Sequence, residues 1–286
     1  MILIADSGST KCDWALIDDK GARLGNFQTM GLNPYFHTPD VIEEALKANS
    51  DLYKIAADVK SIYFYGAGSS TDEMCAIMRT GLERVFKNAD ILVDHDLLGS
   101  AMSTYDGEPC IACILGTGSN SCYFDGKDIY EEVPSLAYIL GDEASGSYFG
   151  KILLQEYFYK KLPADLAKAF EDSHAPSKDE IISRVYREPN ANVYLANFMK
   201  FIGEHRDHPH VKNWVTKGMI HFIEIHVKCF ANWNQVPVHF VGSIGHYFHD
   251  CLEKAAAHTG IRLGRTIRKP IDGLVDYHVK FKLHLA

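Results

Sequence analysis

The sequence has no long hydrophobic run and no excess of positive charge. No apolar stretch approaches the roughly 20 residues that span a bilayer, and no signal-peptide pattern precedes the opening MILIADSG. Lysine and arginine number 29 against 37 acidic residues, and they form no basic stripe. We therefore expect a cytoplasmic protein that binds neither membrane nor nucleic acid.

Cysteine is sparse and unpatterned. The seven cysteines are an odd number and show no disulfide framework. Cys110 and Cys113 form one C-x-x-C, but they lie in the apolar segment PCIACILGTG, so we interpret them as buried free thiols. The histidines between His205 and His226 lack the spacing of a metal site and are expected on the surface or in the core.

Strand and helix patterns alternate along the first hundred residues. MILIADSG, CDWALIDD and ARLGNFQTMG indicate three strands, and TPDVIEEALKAN a helix with Thr38 as N-cap and Pro39 at its first position. Further alternation of strand and helix follows. This order indicates an α/β fold, and 286 residues favour two lobes.

The opening segment recurs later in the chain. With a shift of 110, ILIADSGSTKCDW (2–14) lies over ACILGTGSNSCYF (112–124), and both have the form strand, glycine turn, strand. We infer an internal duplication into lobes 1–105 and 106–286. The second lobe carries a largely helical insertion at about 150–233, in which Ser177 and Glu180 form a capping box. Apolar positions three and four apart predict one long helix over residues 208–233 of this insertion.

Three glycine turns, each after an apolar strand, are the candidate ligand sites: DSGSTK (6–11), GTGSN (116–120) and GSIG (242–245). Glycine lets backbone amides approach a ligand, and such turns bind phosphate oxygens. None of them is a Walker A loop or a G-x-G-x-x-G fingerprint. Each alone could be an ordinary turn, so their recurrence is the stronger signal.

These motifs resemble the sugar kinase/Hsp70/actin superfamily, and within it the BadF/BadG/BcrA/BcrD ATPase family, in the branch that contains N-acetylglucosamine kinases. ADSGSTKCDW resembles the first phosphate motif, LGTGSNS the second and FVGSIG the adenosine motif. HDLLGSA and LGDEASG resemble the acid-bearing segments of the kinase branch. The resemblance implies two duplicated ribonuclease H-like (actin-like ATPase) lobes with a central cleft that holds Mg-ATP.

The resemblance also implies roles for the turn residues. Asp6 would hold Mg²⁺ through water, and the residues after it would lie near the phosphates of ATP. The nucleotide-binding residues on this basis are Gly8, Ser9, Thr10, Lys11, Gly116, Thr117, Gly118, Gly242, Ser243 and Gly245. A single strand-end aspartate is sufficient for magnesium, which keeps several of its waters.

The catalytic base is expected in ILVDHDLLGSA, where Asp94 and Asp96 precede a helix of small residues. An aspartate at that place can simply be an N-cap. By the family pattern we choose Asp96 as the base that accepts the proton of the sugar hydroxyl, with Asp94 as the alternative.

Asn33, Asn120 and Asp142 fit the sugar-binding positions of the resembled branch, although Asn33 before Pro34 also suits a turn. The expected reaction is phosphorylation of an amino sugar, most simply the 6-hydroxyl of N-acetylglucosamine. Two departures leave the sugar open between N-acetylglucosamine, glucosamine and N-acetylmuramic acid. Leu136-Ala137 replaces a common Trp-Gly pair, and Ala144 stands where glycine is commoner.

Two other functions stay open. One is an activator ATPase of the 2-hydroxyacyl-CoA dehydratase or benzoyl-CoA reductase type, whose iron–sulfur cluster needs accessible cysteines. The other is a non-catalytic nucleotide-dependent binding protein, which needs neither a base nor sugar-binding side chains. A homodimer is one assembly that the sequence allows.

Overall fold

The computed structural model describes residues 1–8, 10–173 and 176–283. These residues form ten strands in two sheets. The strands are β1 Ile2–Ser7, β2 Lys11–Ile17, β3 Arg23–Met30, β4 Ser61–Gly66, β5 Asp90–His95, β6 Cys110–Leu115, β7 Ser119–Phe124, β8 Ile129–Tyr130, β9 Pro237–Val241 and β10 Arg262–Ile267.

Helices connect and cover the strands. The α-helices are α1 Pro39–Ala48, α2 Ser50–Lys54, α3 Asp72–Val85, α4 Asp96–Thr104, α5 Ala137–Leu140, α6 Gly146–Phe158, α7 Ala164–Ser173, α8 Lys178–Tyr186, α9 Ala191–Asn197, α10 Met199–Glu204, α11 Pro209–Phe222, α12 Ser243–Tyr247, α13 His249–Thr259 and α14 Ile271–Tyr277. Ala56–Asp58 is a 3₁₀ turn, and Ile223–Val227 and His278–Lys282 are π-helical. Among the described residues, no helix is both long and apolar enough to cross a membrane.

The two sheets have the same strand order. The first is β3-β2-β1-β4-β5 and the second is β8-β7-β6-β9-β10, so each begins with a hairpin and continues into parallel strands. In the first, β1 and β2 are antiparallel while β1, β4 and β5 are parallel. The α/β fold of two duplicated lobes predicted from the sequence is thus confirmed.

The chain divides into two compact units. The first comprises residues 1–108, 124–129 and 269–286, and the second 109–123 and 130–268. The sequence predicted one boundary at 105/106, whereas the C-terminal segment packs with the first unit. There α14 lies on α4 so closely that a Cβ on Gly273 would be 2.0 Å from the Ser103 carbonyl oxygen. Packing between segments so far apart in the chain cannot be predicted from amino-acid composition.

Each unit has its own core. In the first, Trp14 packs with Phe64 and Phe86 at ring distances of 5.9 and 6.3 Å. In the second, β6 and β9 pack with the helical segment through buried side chains such as Phe149 and Phe222. All seven cysteines are free thiols, and Cys110 and Cys113 are fully buried on β6.

Some local predictions need correction. The single long helix predicted from residue 208 to 233 ends at Phe222 and continues as the π-helical turn Ile223–Val227. Thr38 is the N-cap of α1, but its side chain makes no capping bond. Ser177 does cap α8, since its hydroxyl accepts a hydrogen bond from the Glu180 amide at 3.1 Å.

Candidate functional site

Acidic side chains gather where the strands of the first sheet end. Asp6 pairs in register with Asp13 on β2 and with Tyr65 on β4, and Tyr65 in turn pairs with Asp94 on β5. Parallel strands present their carboxyl ends at one edge of a sheet, so β1, β4 and β5 bring these residues together. Asp96 follows immediately as the first residue of α4.

The environment of Asp6 strongly shifts the pKa of its carboxyl. Desolvation by the surrounding protein, and then the negative charges of Asp96 and Asp13, raise its pKa to about 7. Lys11 and Lys269 act in the opposite direction but do not cancel this effect. Crowded carboxylates of this kind are electrostatically strained, which a cation would relieve.

Asp13 behaves differently because it has direct partners. Its carboxylate accepts hydrogen bonds from Gln28 at 2.6 Å and from Lys11 at 3.1 Å, and Lys269 lies 3.5 Å away. Burial alone would raise the pKa of Asp13, but these hydrogen bonds and charges hold it below the usual value. Asp13 and Lys269 were not predicted as site residues. The antiparallel register of the hairpin places Asp13 opposite Asp6 and so could have indicated it, whereas nothing in the sequence around Lys269 indicates this contact.

The first glycine turn joins β1 to β2 through three residues. The Gly8 amide donates to the Lys11 carbonyl at 3.0 Å, and both Gly8 and Thr10 are exposed. Ser9, also predicted to bind nucleotide, lies outside the described residues. The Lys11 ammonium reaches back to Asp13, so it is held at the base of this turn.

Neither Asp94 nor Asp96 is the N-cap of α4, because His95 occupies that position. The Asp94 carboxylate accepts a hydrogen bond from the His95 amide at 2.8 Å. Asp96 lies in the first turn, where the helix dipole favours a negative charge, and its charge acts on Asp6. The structure therefore brings Asp6 and Asp96 together.

Asn33 is buried in the first unit and is part of a turn. Its side-chain oxygen accepts a hydrogen bond from the Tyr35 amide at 2.9 Å, and its backbone carbonyl accepts from Phe36 and His37. The side-chain oxygen of Asn33 therefore stabilises the turn, as the turn interpretation predicts. The side-chain nitrogen is the group that is left to bind a ligand.

In the second unit, the glycine turn 116–118 and the start of α6 form one structure. The Gly146 and Ser147 amides donate to the carbonyls of Gly116 and Thr117 at 2.8 and 3.1 Å. A side chain on Gly118 would meet the Asp142 carboxylate at about 2.9 Å. The turn is thereby held rigidly against the loop before α6.

Asp142 anchors that loop. Its carboxylate accepts a hydrogen bond from the Ser119 amide at 3.2 Å, and its φ of 57° is left-handed, which is unusual outside glycine. Burial raises its pKa, while the Ser119 amide and Lys151 act to lower it. Asn120 is engaged elsewhere: its side chain donates to Glu131 at 3.3 Å and accepts from the Ser121 amide at 2.8 Å.

The third glycine turn packs directly on the second. Gly242 has a φ of 123°, and a Cβ there would lie 2.3 Å from the Leu115 carbonyl oxygen, so only glycine fits. Ser243 is exposed at the start of α12, whereas Gly245 is buried against Phe240. Gly242 and Ser243 are therefore the accessible part of this turn.

Comparison with known proteins identifies relatives through structure. No known family model matches the sequence, and neither does any curated protein. A provisionally assigned N-acetylglucosamine kinase from Porphyromonas gingivalis is 37% identical and covers 98% of this chain and 99% of its own, with a TM-score of 0.92. Membership of the BadF/BadG/BcrA/BcrD family therefore stays a prediction.

Two more distant structures share the fold. A provisionally assigned N-acetylglucosamine kinase from Chromobacterium violaceum has a TM-score of 0.73 at 16% identity, covering 96% of this chain and 98% of its own. A ROK family glucokinase from Streptomyces griseus, in complex with glucose and AMPPNP, has a TM-score of 0.57 at 15% identity, with coverage of 96% and 97%. At 37% identity over almost its whole length, the chain belongs to the sugar kinase family of the P. gingivalis protein.

Proposed function

We propose that the protein is an ATP-dependent kinase that transfers the γ-phosphate of ATP to the 6-hydroxyl of N-acetylglucosamine. The observation that carries the proposal is the pairing of Asp6 and Asp96 at the strand ends of the first unit, in a chain of this family. One carboxylate suits a metal and the other suits a base, which are the two parts that phosphoryl transfer to an alcohol requires.

Asp6 is our candidate for Mg²⁺. The residues fit the ion because the Asp6 carboxylate is repelled by Asp96 and Asp13 and would be stabilised by a cation. Within the described ranges, no group of three or more His, Cys, Asp or Glu could hold a metal. Magnesium uses one or two carboxylates together with waters and phosphate oxygens. The bound ion would neutralise charge on the transferring phosphate.

Asp96 is our candidate for the general base. Its place in the first turn of α4 fixes its backbone, and its carboxylate would accept the proton of the sugar hydroxyl as that oxygen attacks phosphorus. Asp94 is the alternative base, and its carboxylate accepts a hydrogen bond from the His95 amide at 2.8 Å. Positioning and charge neutralisation would supply most of the remaining rate enhancement.

We assign the glycine-turn residues to the nucleotide. The β- and γ-phosphates would be contacted by Gly8, Ser9, Thr10 and Lys11, and by Gly116, Thr117 and Gly118. Gly242 and Ser243 would lie against the adenosine, with Gly245 supporting them from the core. Asn33, Asn120 and Asp142 would bind the sugar, with Asn120 first releasing Glu131.

The activator ATPase is the less suitable alternative. Cys110 and Cys113 are buried within β6, and burial raises the pKa of the Cys113 thiol well above its usual value. Cluster ligands are thiolates, which such burial disfavours. A purified protein with iron–sulfur absorbance would reverse this ranking.

The deciding experiment incubates the protein with Mg²⁺ and ATP and with one sugar at a time, and measures both ADP and phosphosugar. The sugars are N-acetylglucosamine, glucosamine, N-acetylmuramic acid and glucose, with buffer as the blank. We expect phosphosugar only with an amino sugar, N-acetylglucosamine giving the highest kcat/KM. Equal ADP in every tube without phosphosugar would instead indicate an ATPase or a nucleotide-dependent binding protein.

A further inference from the structure

The residue after Asp142 occupies an unusual piece of backbone. Asp142 and Ala144 have φ values of 57° and 58°, so Glu143 lies between two left-handed residues that are not glycine. Such a backbone conformation is strained and persists only where its surroundings enforce it. Here the Ser145 amide donates to the Asp142 carbonyl at 3.1 Å. The fold therefore holds Glu143 in one orientation.

His226 holds the side chain of Glu143. Its Nε2 lies 2.9 Å from Glu143 Oε2, and the side chains are only 7% and 15% exposed. The imidazole ring stacks on Phe222, with centroids 4.9 Å apart and an interplanar angle of 28°. Its carbonyl accepts a hydrogen bond from the Ser121 hydroxyl at 2.6 Å. His226 is thus fixed through both its ring and its backbone.

His226 lies in the π-helical turn Ile223–Val227, which interrupts the predicted long helix. Such turns occur often at functional sites, because they redirect a side chain at a cost in regular hydrogen bonding. The turn brings His226 to the loop before α6, and Ser121 of β7 bonds to its carbonyl there. Apolar residues with a period of 3.6 predict a continuous α-helix here and do not indicate the π-helical turn.

The hydrogen bond between the two side chains has a clear direction. His226 Nε2 faces the Glu143 carboxylate, so the imidazole donates and Glu143 accepts. His226 Nδ1 is buried and has no hydrogen-bond partner among the described residues. Burial would raise the pKa of Glu143, but the His226 hydrogen bond and the backbone amide of Glu143 itself hold the pKa below the usual value.

We propose that Glu143 is a sugar-contacting residue that sets specificity and that His226 is its positioning residue. This inference rests on the proposed function. His226 occupies one oxygen of Glu143, which leaves lone pairs for a donor on the ligand. The ligand class is a sugar that presents an N–H or O–H to this carboxylate. A ligand without that donor leaves a buried acceptor unpaired, which gives strong discrimination.

The proposal also predicts which amino sugars are excluded. Asp142 and Glu143 are consecutive carboxylates that interact with one nearby cation, Lys151, whose ammonium also donates a hydrogen bond to the Tyr138 carbonyl, so negative charge is in excess here. A substrate that carries its own carboxylate would be repelled there. N-acetylmuramic acid should therefore be a much poorer substrate than neutral N-acetylglucosamine.

The test separates positioning from simple stability. His226→Phe keeps the stacking on Phe222 and removes the donor, whereas His226→Gln keeps an N–H donor. His210→Phe is the matched control, because His210 makes a similar 2.8 Å bond to Glu156 elsewhere in the same unit. We expect His226→Phe to raise the sugar KM by about tenfold or more. The KM for ATP should stay within about twofold, and His226→Gln should recover most of the loss.

Several results would overturn this inference. They are equal effects of His226→Phe and His210→Phe, parallel shifts in the KM values for sugar and ATP, and no rescue by His226→Gln.

If His226→Phe does not fold, Glu143→Gln replaces it, because glutamine preserves the size of the side chain while weakening it as an acceptor. An unchanged sugar KM in Glu143→Gln would refute the inference. If the wild type phosphorylates no sugar, the proposed function fails and the inference fails with it. If the wild type is active and the variants keep its sugar KM, the inference alone fails.

Discussion

Asp6 and Asp13 face each other across the first hairpin, and the pKa values of their carboxyls are shifted in opposite directions. Their Cα atoms are register partners on β1 and β2, yet the pKa of Asp6 is raised to about 7 and that of Asp13 is lowered. Burial, and then the negative charges of Asp96 and Asp13, raise the pKa of Asp6. Asp13 instead accepts hydrogen bonds from Gln28 and Lys11, which lower its pKa. A cation near Asp6 would stabilise its ionised form.

The pKa of Asp6 makes stability depend on pH in metal-free protein. The folded protein binds a proton at Asp6 up to about pH 7, whereas the unfolded chain releases it near 3.8, so stability falls as pH rises through this window. Asp6→Asn should therefore stabilise the protein at pH 8, by about 1–2 kcal/mol after screening of this partly exposed group, and have little effect at pH 4. Urea unfolding without Mg²⁺ measures this difference. An equal effect of the substitution at both pH values would contradict it.

Gly242→Ala should disrupt the third turn. Its Cβ would clash with the Leu115 carbonyl oxygen at 2.3 Å in a left-handed backbone, so we expect a loss of about 2 kcal/mol or more and weaker ATP binding. Gly203→Ala is the control, because Gly203 lies in α10 with open space around it. It should be neutral or stabilise by up to about 1 kcal/mol. Thermal unfolding with and without ATP distinguishes these outcomes, and similar behaviour of the two variants would refute the steric argument.

Ala137→Gly should stabilise the protein. Ala137 has a φ of 56°, where alanine is disfavoured by about 1–2 kcal/mol, and glycine would remove that strain at a smaller cost in entropy. We expect a net gain of about 0.5–1 kcal/mol. Ala257→Gly, at an exposed position within α13, should instead destabilise by about 1 kcal/mol. Denaturant midpoints measure both, and the prediction is wrong if the two substitutions have the same sign.

The sequence revealed the local elements and the repeated hairpin, because strand alternation, glycine turns and Pro39 act over a few residues. The strand order was beyond it, since β6 pairs with β9 across more than a hundred intervening residues. The left-handed backbone at Ala137 and Ala144 explains why glycine is common at these two places in the resembled family. This chain keeps the same conformation with alanine.

The candidate site was predictable in part for the same reason. Asp6, Asp96 and the glycine turns follow strands and can be located by pattern. Lys269 reaches Asp13 only because the C-terminal segment returns to the first unit, and His226 reaches Glu143 only through a π-helical turn. Such contacts between residues far apart in the sequence produce no periodic sequence pattern from which they could be predicted.

The measurement that tests the central claim most directly compares Asp96→Asn with Asp94→Asn. Both keep the side-chain volume, and only Asp96 is assigned as the base. We predict that Asp96→Asn lowers phosphosugar formation by about 10²–10⁴-fold while ATP and sugar still bind by calorimetry, and that Asp94→Asn loses far less. Near-normal turnover in Asp96→Asn together with a large loss in Asp94→Asn would move the base to Asp94. Near-normal turnover in both would contradict base catalysis by this strand end.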